Sequence, residues 1–269
     1  MRKDYIAVSD DGATSETDFV KEHWTKIWND SNPEKGAREH VENRSEFRIM
    51  EPILKNLPKD AKILDGGCGL GAWTLGLASM GYNVVGLDLS EKTIKKLREL
   101  FPKGRFETGD LRATAFGDGE FDAYFAWGVF EHFETGLGPC LQEARRIVKK
   151  NGYLFVSVPF HNGRLWRRDH KPLGVVDSGY TGGKGYARPM RFYQWRLTEQ
   201  ELRRELEIHG FEVQSVTPLH KEVGVHRMLV TDYGIQADSV LHDVLKRLLS
   251  QLFSASYIAN MIIAVGQKR

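Results

Sequence analysis

The stretch Lys62–Gly71, KILDGGCGLG, constrains the fold of this chain more than any other. A short apolar run ends in Asp65, a glycine-rich turn follows, and the residues from Ala72 onward can begin a helix. Glycine has no Cβ, so such a turn lets the backbone approach a ligand closely. The free N–H groups and the dipole at the start of a helix favour a negatively charged group. The stretch therefore predicts a strand–loop–helix unit that binds a carboxylate or a phosphate.

Strands and helices alternate along the chain after this unit. The apolar run over residues 153–158 is continuous, as expected for a strand inside a parallel sheet. Further strands are predicted over residues 83–88, 105–108, 121–127, 211–216 and 260–266. This alternation predicts an α/β fold with a doubly wound sheet.

The segments around this core divide the chain into an N-terminal part and a main domain. Residues 1–60 are predicted as a tail and helical cover, in which residues 1–17 are polar and are expected to be mobile. A helix over residues 37–57 is expected to be kinked or divided at Pro52. Residues 61–269 are predicted as the main domain. Residues 159–197 interrupt its alternation of strands and helices and are predicted as an insert.

Composition excludes several classes of protein. The formal net charge of +2 is too small to indicate DNA or RNA by itself. Two cysteines give no disulfide framework and favour a reducing compartment. No apolar run approaches the roughly 20 residues of a membrane span, and the first residues lack the apolar core of a signal peptide. We therefore expect a cytoplasmic protein that does not bind DNA.

Five motifs in order resemble those of the class I S-adenosylmethionine (SAM)-dependent methyltransferases, of the small-molecule type. They are the loop LDGGCGLG, the acid in VVGLDLS, the pair Gly109-Asp110, the block FDAYFAWGVFEHF, and RIVKKNGYLFVSVP followed by TEQELRRELEIHGFEV. The resemblance implies a Rossmann-like sheet of seven strands whose last strand is antiparallel. It also implies an enzyme whose cofactor is SAM.

The resemblance assigns cofactor contacts residue by residue. The glycine loop would pass beside the methionyl part of SAM, with Asp65 near its amino group. Asp88 would accept hydrogen bonds from the ribose hydroxyls, as similar carboxylates do for NAD, and Asp110 would accept from the adenine amino group. The full set of predicted contacts is Asp65, Gly66, Gly67, Cys68, Gly69, Gly71, Asp88, Leu89, Asp110, Leu111, Trp127, Trp24 and Arg48. For the N-terminal cover, Trp28 and Arg44 are further candidates by position.

A dinucleotide is the rival ligand for the glycine loop. Residues 67–72 also satisfy the GxGxx(G/A) fingerprint of NAD-binding folds, so the glycines alone do not decide. Asp65 argues against NAD because an acid at that place would face a pyrophosphate. Asp110 and the fourth-strand block also favour SAM.

His132 and His161 are the predicted catalytic residues. Each follows the carboxyl end of a predicted strand, and a base is needed only when the acceptor must lose a proton. The ubiquinone-type O-methyltransferases show Glu-x-x-Glu-His at the first of these places and bind a divalent metal there. Here Gly128 replaces the first carboxylate, so no metal site is expected.

The insert over residues 159–197 is basic and aromatic. One interpretation is a solvated loop. The other is a lid that closes over an acidic acceptor and binds it through arginine side chains, whose guanidinium groups match carboxylate and phosphate. The predicted acceptor-binding residues are Arg164, Arg167, Arg168 and Tyr193. A predicted amphipathic helix over residues 240–253 either packs on the core, as most such helices do, or meets a membrane surface.

The sequence thus predicts methyl transfer from SAM to an oxygen or nitrogen of an acidic small molecule, a sugar or a lipid-linked intermediate. An RNA or protein methyltransferase and a non-catalytic SAM-binding protein are the alternatives. The oligomeric state has no signature in the sequence.

Overall fold

The computed structural model describes residues 1–7, 15–29, 37–169 and 190–269. Within those ranges the strands are β1 Arg2–Ala7, β2 Lys62–Gly66, β3 Asn83–Asp88, β4 Phe106–Thr108, β5 Phe121–Trp127, β6 Val148–Pro159, β7 Met190–Arg196, β8 Phe211–Leu219 and β9 Met261–Lys268. The helices are α1 Glu16–Asn29, α2 Ala37–Glu42, α3 Ser45–Leu54, α4 Ala72–Ser79, α5 Glu91–Leu100, α6 Gly138–Ile147, α7 Gly163–Asp169, α8 Glu199–Ile208, α9 Lys221–Arg227, α10 Val240–Leu252 and α11 Ala255–Ile258.

Among the described strands, seven form one sheet in the order β4-β3-β2-β5-β6-β9-β8. The strands from β4 to β6 pair in parallel, and β9 runs antiparallel to both β6 and β8. The predicted α/β fold with an antiparallel last strand is confirmed. The carboxyl ends of β2 to β5 therefore share one edge of the sheet, where such folds bind ligands.

Both faces of the sheet are buried. Leu64, Tyr124 and Ala126 pack in a cluster with α6 and α8, and Ile63 and Phe125 pack on the opposite face. Because both faces are covered, the central strands are continuously apolar rather than alternating. This is why the apolar runs in the sequence locate β2, β5 and β6.

The first residues form a strand, which corrects the expectation that residues 1–17 are mobile as a whole. β1 pairs antiparallel with β7, with Arg2 opposite Arg196 and Ala7 opposite Met190. The single N–H of Arg196 Nε is shared between the two carboxylate oxygens of Asp4, each 2.9 Å away. The strand is charged and its partner lies about 190 residues away, so local pattern gives no sign of it.

The helical cover breaks at Asn43-Arg44 rather than at Pro52. Arg44 has an extended backbone (φ −80°, ψ 141°) and precedes the first turn of α3, which contains Pro52 near its end. Pro52 lies in the last turn of α3, so only the two residues after it in the helix follow the backbone hydrogen bond that proline cannot make. The break turns α2 away from α3 and brings the side chain of Arg44 toward the carboxyl edge of the sheet.

The described parts of the predicted lid are α7 and β7. His161 N donates to Leu197 O over 2.8 Å, and Leu197 N donates to Pro159 O over 3.1 Å, so the two ends of the insert are held together. The remaining basic and aromatic residues of the predicted lid, Lys171, Tyr180, Lys184, Tyr186 and Arg188, lie outside the described residues. The role of this segment as a lid stays a prediction.

α10 packs one face on the core. Leu245, Leu249 and Phe253 contact a cluster that includes Val225 and Ile258. Its other face exposes apolar side chains, namely Val240, Leu241, Val244, Leu248 and Leu252. A search of the described residues finds no helix long and apolar enough to cross a membrane.

Candidate functional site

A cavity of about 470 Å³ opens at the carboxyl edge of the sheet. Its walls come from the ends of β2, β3 and β5, from the turn after β4, from helices α1, α2 and α4, and from the residues that precede α3 and α5. The lining residues are Val20, Lys21, Trp24, His40, Arg44, Asp65, Gly67, Cys68, Leu70, Ala72, Trp73, Asp88, Leu89, Ser90, Gly109, Asp110, Leu111, Trp127, Gly128, Val129, His132 and Phe133. The volume lies within the range of small-molecule and cofactor sites.

The glycine turn is held against β3. Gly67 N and Cys68 N both donate to Leu87 O, over 2.7 and 3.0 Å. Gly67 has φ +77°, and a Cβ there would lie 2.5 Å from Val129 Cγ2. Glycine is required at this position both for its backbone conformation and for the close approach of the turn after β5.

Asp65 lies at the floor of the cavity and is 3% exposed. Thr74 Oγ1 donates to Asp65 Oδ2 over 2.7 Å. Burial raises the pKa of Asp65 to about 7, hydrogen bonds from Thr74 oppose that rise, and the charge of Asp88 adds to it. A cation that entered this part of the cavity would favour the ionised carboxylate.

Asp88 is fixed by the backbone. Its Oδ2 accepts from Gly69 N and its Oδ1 from Ser90 N, each over 2.9 Å. Burial raises the pKa of Asp88, and these backbone hydrogen bonds oppose the rise. A carboxylate has about four acceptor positions, so Asp88 retains capacity for two donors from a ligand.

Both carboxylate oxygens of Asp110 accept hydrogen bonds from Arg112. Its Oδ1 accepts from Arg112 N over 2.9 Å, and its Oδ2 accepts from Arg112 Nη2 over 2.7 Å. Burial raises the pKa of Asp110, but the hydrogen bonds and charge of Arg112 outweigh burial, and the net pKa is lowered. Asp110 is therefore an ionised acceptor at neutral pH. Arg112 was not predicted as a site residue.

His132 faces the cavity from the turn after β5. Its Nδ1 lies 2.7 Å from Tyr193 O, and because a carbonyl only accepts, Nδ1 carries the proton. Burial lowers the pKa of His132 to about 4, although the carbonyls of Tyr193 and Gly128 favour the protonated ring. The ring is therefore neutral at physiological pH, with Nε2 as its basic nitrogen.

The apolar walls are aromatic at one end of the cavity. Trp127 stacks on Phe125 with ring centroids 5.3 Å apart, and Trp73 lies 5.3 Å from Trp127. Trp127 Nε1 is buried and has no hydrogen-bond partner among the residues that the structure describes. Leu89 and Leu111 line the part of the cavity next to the acids Asp88 and Asp110.

The structure brings most of the predicted cofactor contacts together. Asp65, Gly67, Cys68, Asp88, Leu89, Asp110, Leu111, Trp127 and Trp24 all line the cavity. Gly66, Gly69 and Gly71 shape the glycine turn but do not line the cavity. At Gly66 a Cβ would lie 2.4 Å from Tyr124 Cε2, and at Gly71 it would lie 2.9 Å from Phe106 Cε1. At Gly66 and Gly71, the absence of a Cβ therefore allows close packing behind the turn.

Arg48 does not line the cavity, and Arg44 does. Arg44 Nη2 lies 2.9 Å from His40 Nε2, which also lines the cavity and accepts this hydrogen bond. Arg44 and Arg48 are one helical turn apart. In the continuous helix that the sequence predicts, both side chains would lie on the same face, so the sequence alone does not distinguish them. The side chain of Trp28 is not described.

His161 lies outside the cavity lining. Its Nε2 is 3.1 Å from Asp169 Oδ2, and Arg2 Nε lies 2.9 Å from the same oxygen. Burial lowers the pKa of His161, and the charge of Arg196 adds to that effect. These contacts tie β1, β6 and α7 together. The catalytic role of His161 stays a prediction that this placement does not support.

The predicted acceptor-binding arginines are also away from the cavity lining. Arg164 Nη1 binds Asp232 Oδ2, Arg167 lies 5.7 Å from the ring centre of Tyr257, and Arg168 Nε lies 3.4 Å from Asp169 Oδ1. Tyr193 contacts the site through His132, with ring centroids 5.1 Å apart. Of this predicted set, Tyr193 lies nearest to the cavity.

The cavity suits S-adenosylmethionine in its chemistry. Asp65 offers a buried acceptor for an ammonium group, and Asp88 retains acceptor positions for two hydroxyls. Asp110 lies between apolar side chains that can cover a flat ring, and the cation Arg44 can meet a carboxylate. Within the described ranges, no group of three His, Cys, Asp or Glu side chains could hold a metal ion.

Comparisons with known proteins agree with this chemistry. A family model described as a methyltransferase domain matches residues 64–156. An uncharacterized methyltransferase of Synechocystis sp. is 32% identical over 124 residues, which are 45% of this chain and 58% of that protein. A ubiquinone biosynthesis O-methyltransferase of Thiobacillus denitrificans is 28% identical over 183 residues, which are 66% of this chain and 74% of that protein. The chain thus matches less than two thirds of the first relative's length.

Solved structures share the fold. Geranyl diphosphate C-methyltransferase of Streptomyces coelicolor, in complex with Mg²⁺, geranyl diphosphate and S-adenosyl-L-homocysteine, is similar with a TM-score of 0.57. The two chains are 14% identical, and the match covers 96% of this chain and 99% of that one. Residues 64–156 match the methyltransferase domain family, and the described sheet has the topology of S-adenosylmethionine-dependent methyltransferases. S-adenosylmethionine is the cofactor of this domain.

Proposed function

We propose that this protein transfers a methyl group from S-adenosylmethionine to an oxygen or nitrogen atom of a small acidic acceptor, such as a carboxylic acid, a sugar or a lipid-linked intermediate. The observation that carries the proposal is the joint placement of Asp65, Asp88, Asp110 and the neutral His132 around one cavity. The acids suit the cofactor, and the histidine suits an acceptor that must lose a proton.

The cofactor, when bound, supplies a methyl group on an already activated sulfonium, so positioning can provide most of the acceleration. In this proposal Asp65 binds the amino group, and Arg44 binds the carboxylate at the same end of the cofactor. Asp88 and Asp110 orient the nucleoside half. Their rigid hydrogen bonds to Gly69, Ser90 and Arg112 hold them in place before binding.

His132 is proposed as the general base. Its Nδ1–H is fixed on Tyr193 O, which leaves Nε2 to accept a proton from a hydroxyl or an ammonium group. The low pKa of about 4 keeps this nitrogen free of a proton at neutral pH. A base with so low a pKa acts best on an acceptor that is itself acidic, such as a phenol or a carboxylic acid.

The charge of the cavity supports an acidic acceptor. Lys21 lines the cavity from α1, and its Nζ lies 3.9 Å from the exposed Glu91. This loose contact leaves the ammonium group largely available to an anion. The ubiquinone biosynthesis relative is named an O-methyltransferase, and this name favours oxygen over nitrogen as the methylated atom.

A methyl-transfer assay tests the proposal. The protein is incubated with radiolabelled SAM and a panel of carboxylic acids, phenols, sugar nucleotides and lipid-linked phosphates. We expect labelled product with at least one acidic acceptor. Binding of SAM without transfer to any acceptor would instead favour a non-catalytic SAM-binding protein.

His132→Asn tests the proposed base with the acceptor found in that assay. We expect kcat/KM to fall by roughly 10²–10⁴-fold, the usual contribution of a general base, with cofactor affinity changed only slightly. His209→Asn is the matched control, because His209 Nδ1 also lies 2.7 Å from a backbone carbonyl, that of Glu205, but outside the cavity lining. An unchanged kcat/KM in His132→Asn rejects the role of base.

A further inference from the structure

The N-terminal strand β1 is held in place by charged side chains. Arg2 Nε lies 2.9 Å from Asp169 Oδ2, and Lys3 Nζ lies 2.6 Å from Glu134 Oε1. Within the described part of the chain, none of residues 1–6 belongs to a hydrophobic core cluster. Among the described strands, β1 and β7 form a sheet of their own. The strand β1 therefore acts on the rest of the molecule mainly through β7.

The pairing of β1 with β7 contains a β-bulge. Asp4 lies opposite Gln194. The next residue of β1, Tyr5, lies opposite Phe192 rather than Tyr193. Tyr193 is therefore the extra residue of the bulge. Such a residue is left out of the ladder, and the strand bends locally, which changes the direction in which its groups point.

The carbonyl of the bulged residue makes the contact to the proposed base. His132 Nδ1 lies 2.7 Å from Tyr193 O, and His132 is 6% exposed. Two residues further along β7, Trp195 Nε1 donates to Phe133 O over 3.0 Å. The hydrogen bond at one ring nitrogen of a histidine decides which nitrogen carries the proton. The position of Tyr193 O therefore leaves Nε2 as the basic nitrogen of His132.

Asp4 fixes the register of the two strands at the bulge. It is the last residue of β1 that is paired before the bulge. Gln194 Nε2 donates to Asp4 Oδ2 over 3.1 Å, and Arg196 Nη2 lies 2.8 Å from Asp4 Oδ1. A slip of β7 by one residue would remove the bulge and turn the slipped side chains to the other face. The contacts of Asp4 oppose this slip, because they bind β7 immediately beyond Tyr193.

We propose that Asp4 is a positioning residue, which holds the bulge at Tyr193 and thereby the carbonyl that fixes the proton on His132 Nδ1. This inference rests on the proposed role of His132 as general base. Without Asp4 or without the bulge, the imidazole can carry its proton on either nitrogen. None of the predicted cofactor contacts lies on β1 or β7. The effect is therefore confined to the acceptor side of the reaction.

Asp4→Ala removes the carboxylate that joins β1 to β7 at the bulge. Nitrogen-15 NMR of the histidine rings shows which nitrogen of His132 carries the proton, and the spectrum of His132→Asn identifies its signals among the nine histidines. We expect a protonated Nδ1 in the unmodified protein and a shift of the proton toward Nε2 in Asp4→Ala. Asp118→Ala is the matched control, because it removes an aspartate–arginine pair, with Arg146, at an exposed site outside the cavity lining. It should keep the unmodified spectrum.

Insertion of one serine between Asp4 and Tyr5 removes the bulge and keeps the charge of Asp4. The inserted residue would lie opposite Tyr193, and the pairs on either side of it would keep their register. We expect the same shift of the His132 proton. In this variant and in Asp4→Ala, kcat/KM should fall by roughly ten- to a hundredfold with the acceptor found in the methyl-transfer assay. S-adenosylhomocysteine should bind both within about twofold of the unmodified protein.

Four results would overturn the proposal. They are a proton on His132 Nε2 in the unmodified protein, a retained Nδ1 proton in the folded variants, a loss of S-adenosylhomocysteine affinity as large as the loss of kcat/KM, and loss of the fold in both variants by circular dichroism. If only Asp4→Ala fails to fold, the insertion decides.

Failure of the proposed function gives a different result. If His132→Asn keeps its activity, the role of His132 as base is wrong. A shift of the ring proton in the two variants would then still show that the bulge orients this histidine, since the NMR measurement needs neither acceptor nor turnover.

Discussion

Asp65, Asp88 and Asp110 line one cavity, yet their surroundings give them different pKa values. Burial raises the pKa of Asp65 to about 7 and also raises that of Asp88, whereas Arg112 lowers that of Asp110. Asp110 is ionised throughout the neutral range. Asp65 titrates within it, so this acid at the floor of the cavity loses its charge on mild acidification.

The pH dependence of cofactor binding follows from Asp65. The pKa of Asp65 is raised in the free protein, and an ammonium ligand requires its ionised form, so affinity is full above about pH 7 and lost below it. We expect the affinity for S-adenosylhomocysteine to fall by about tenfold for each pH unit below 7. Calorimetry between pH 5.5 and 8 measures this.

Asp65→Asn should bind more weakly and lose most of this pH dependence. Asp118→Asn is a suitable control because the side chain of Asp118 is 83% exposed. If the affinity of Asp65→Asn kept the pH dependence of the unmodified protein, another group would be responsible.

The sequence predicts which residues line the cavity where these residues belong to a recognisable motif. Asp65, Asp88 and Asp110 each follow an apolar strand, and the same pattern that predicts the strands also places these acids at one edge. Arg112 was missed because an arginine two positions after an acid is ordinary in sequence. Its guanidinium also donates to Glu16 and Thr17, which lie about 95 residues away.

At the scale of elements, the sequence predicts apolar strands and capped helices. It does not predict a charged strand whose pairing partner is distant in the chain. Thr198 and Glu201 form a capping box at the start of α8, and Thr-x-x-Glu before an apolar run is a sequence signal for such a helix start. Among the described strands, β1 (RKDYIA) pairs with β7 alone, and its charges match no buried pattern. The break between α2 and α3 at Asn43-Arg44 contains neither glycine nor proline, so sequence signals favoured Pro52.

That break predicts which arginine of the cover binds the cofactor. Arg44→Ala should weaken S-adenosylhomocysteine binding by about 10–100-fold, the usual loss for a charged hydrogen bond to a carboxylate. Arg48→Ala is the matched control, one helical turn away and outside the cavity lining. Calorimetry on both variants decides the matter, and an equal loss in both would contradict the assignment of Arg44.

For the whole molecule, the free energy of folding at neutral pH includes the cost of a buried acid. Glu131 is 2% exposed, its Oε2 has no hydrogen-bond partner within the described part of the chain, and burial raises its pKa to about 8. An unfolded glutamate ionises near pH 4.3. Because the folded pKa is the higher one, this group's contribution to stability is full below about pH 4.3 and is lost progressively up to about pH 8.

Glu131→Gln should therefore gain stability relative to the unmodified protein as pH rises. The gain between pH 5 and 7 is expected to be on the order of 3 kcal/mol, since each of the two pH units changes the difference by up to about 1.4 kcal/mol. Urea denaturation at the two pH values measures it, with Glu99→Gln as an exposed control. A difference that does not change with pH would show that Glu131 is not a neutral acid in the folded protein.

The central claim is that this fold binds S-adenosylmethionine through the acids at the carboxyl edge of its sheet. Calorimetric titration of Asp88→Ala with S-adenosylhomocysteine, alongside circular dichroism to verify the fold, tests it most directly. We predict that the unmodified protein binds and that the variant remains folded but shows no measurable binding. Unchanged affinity in a folded Asp88→Ala protein would contradict the account.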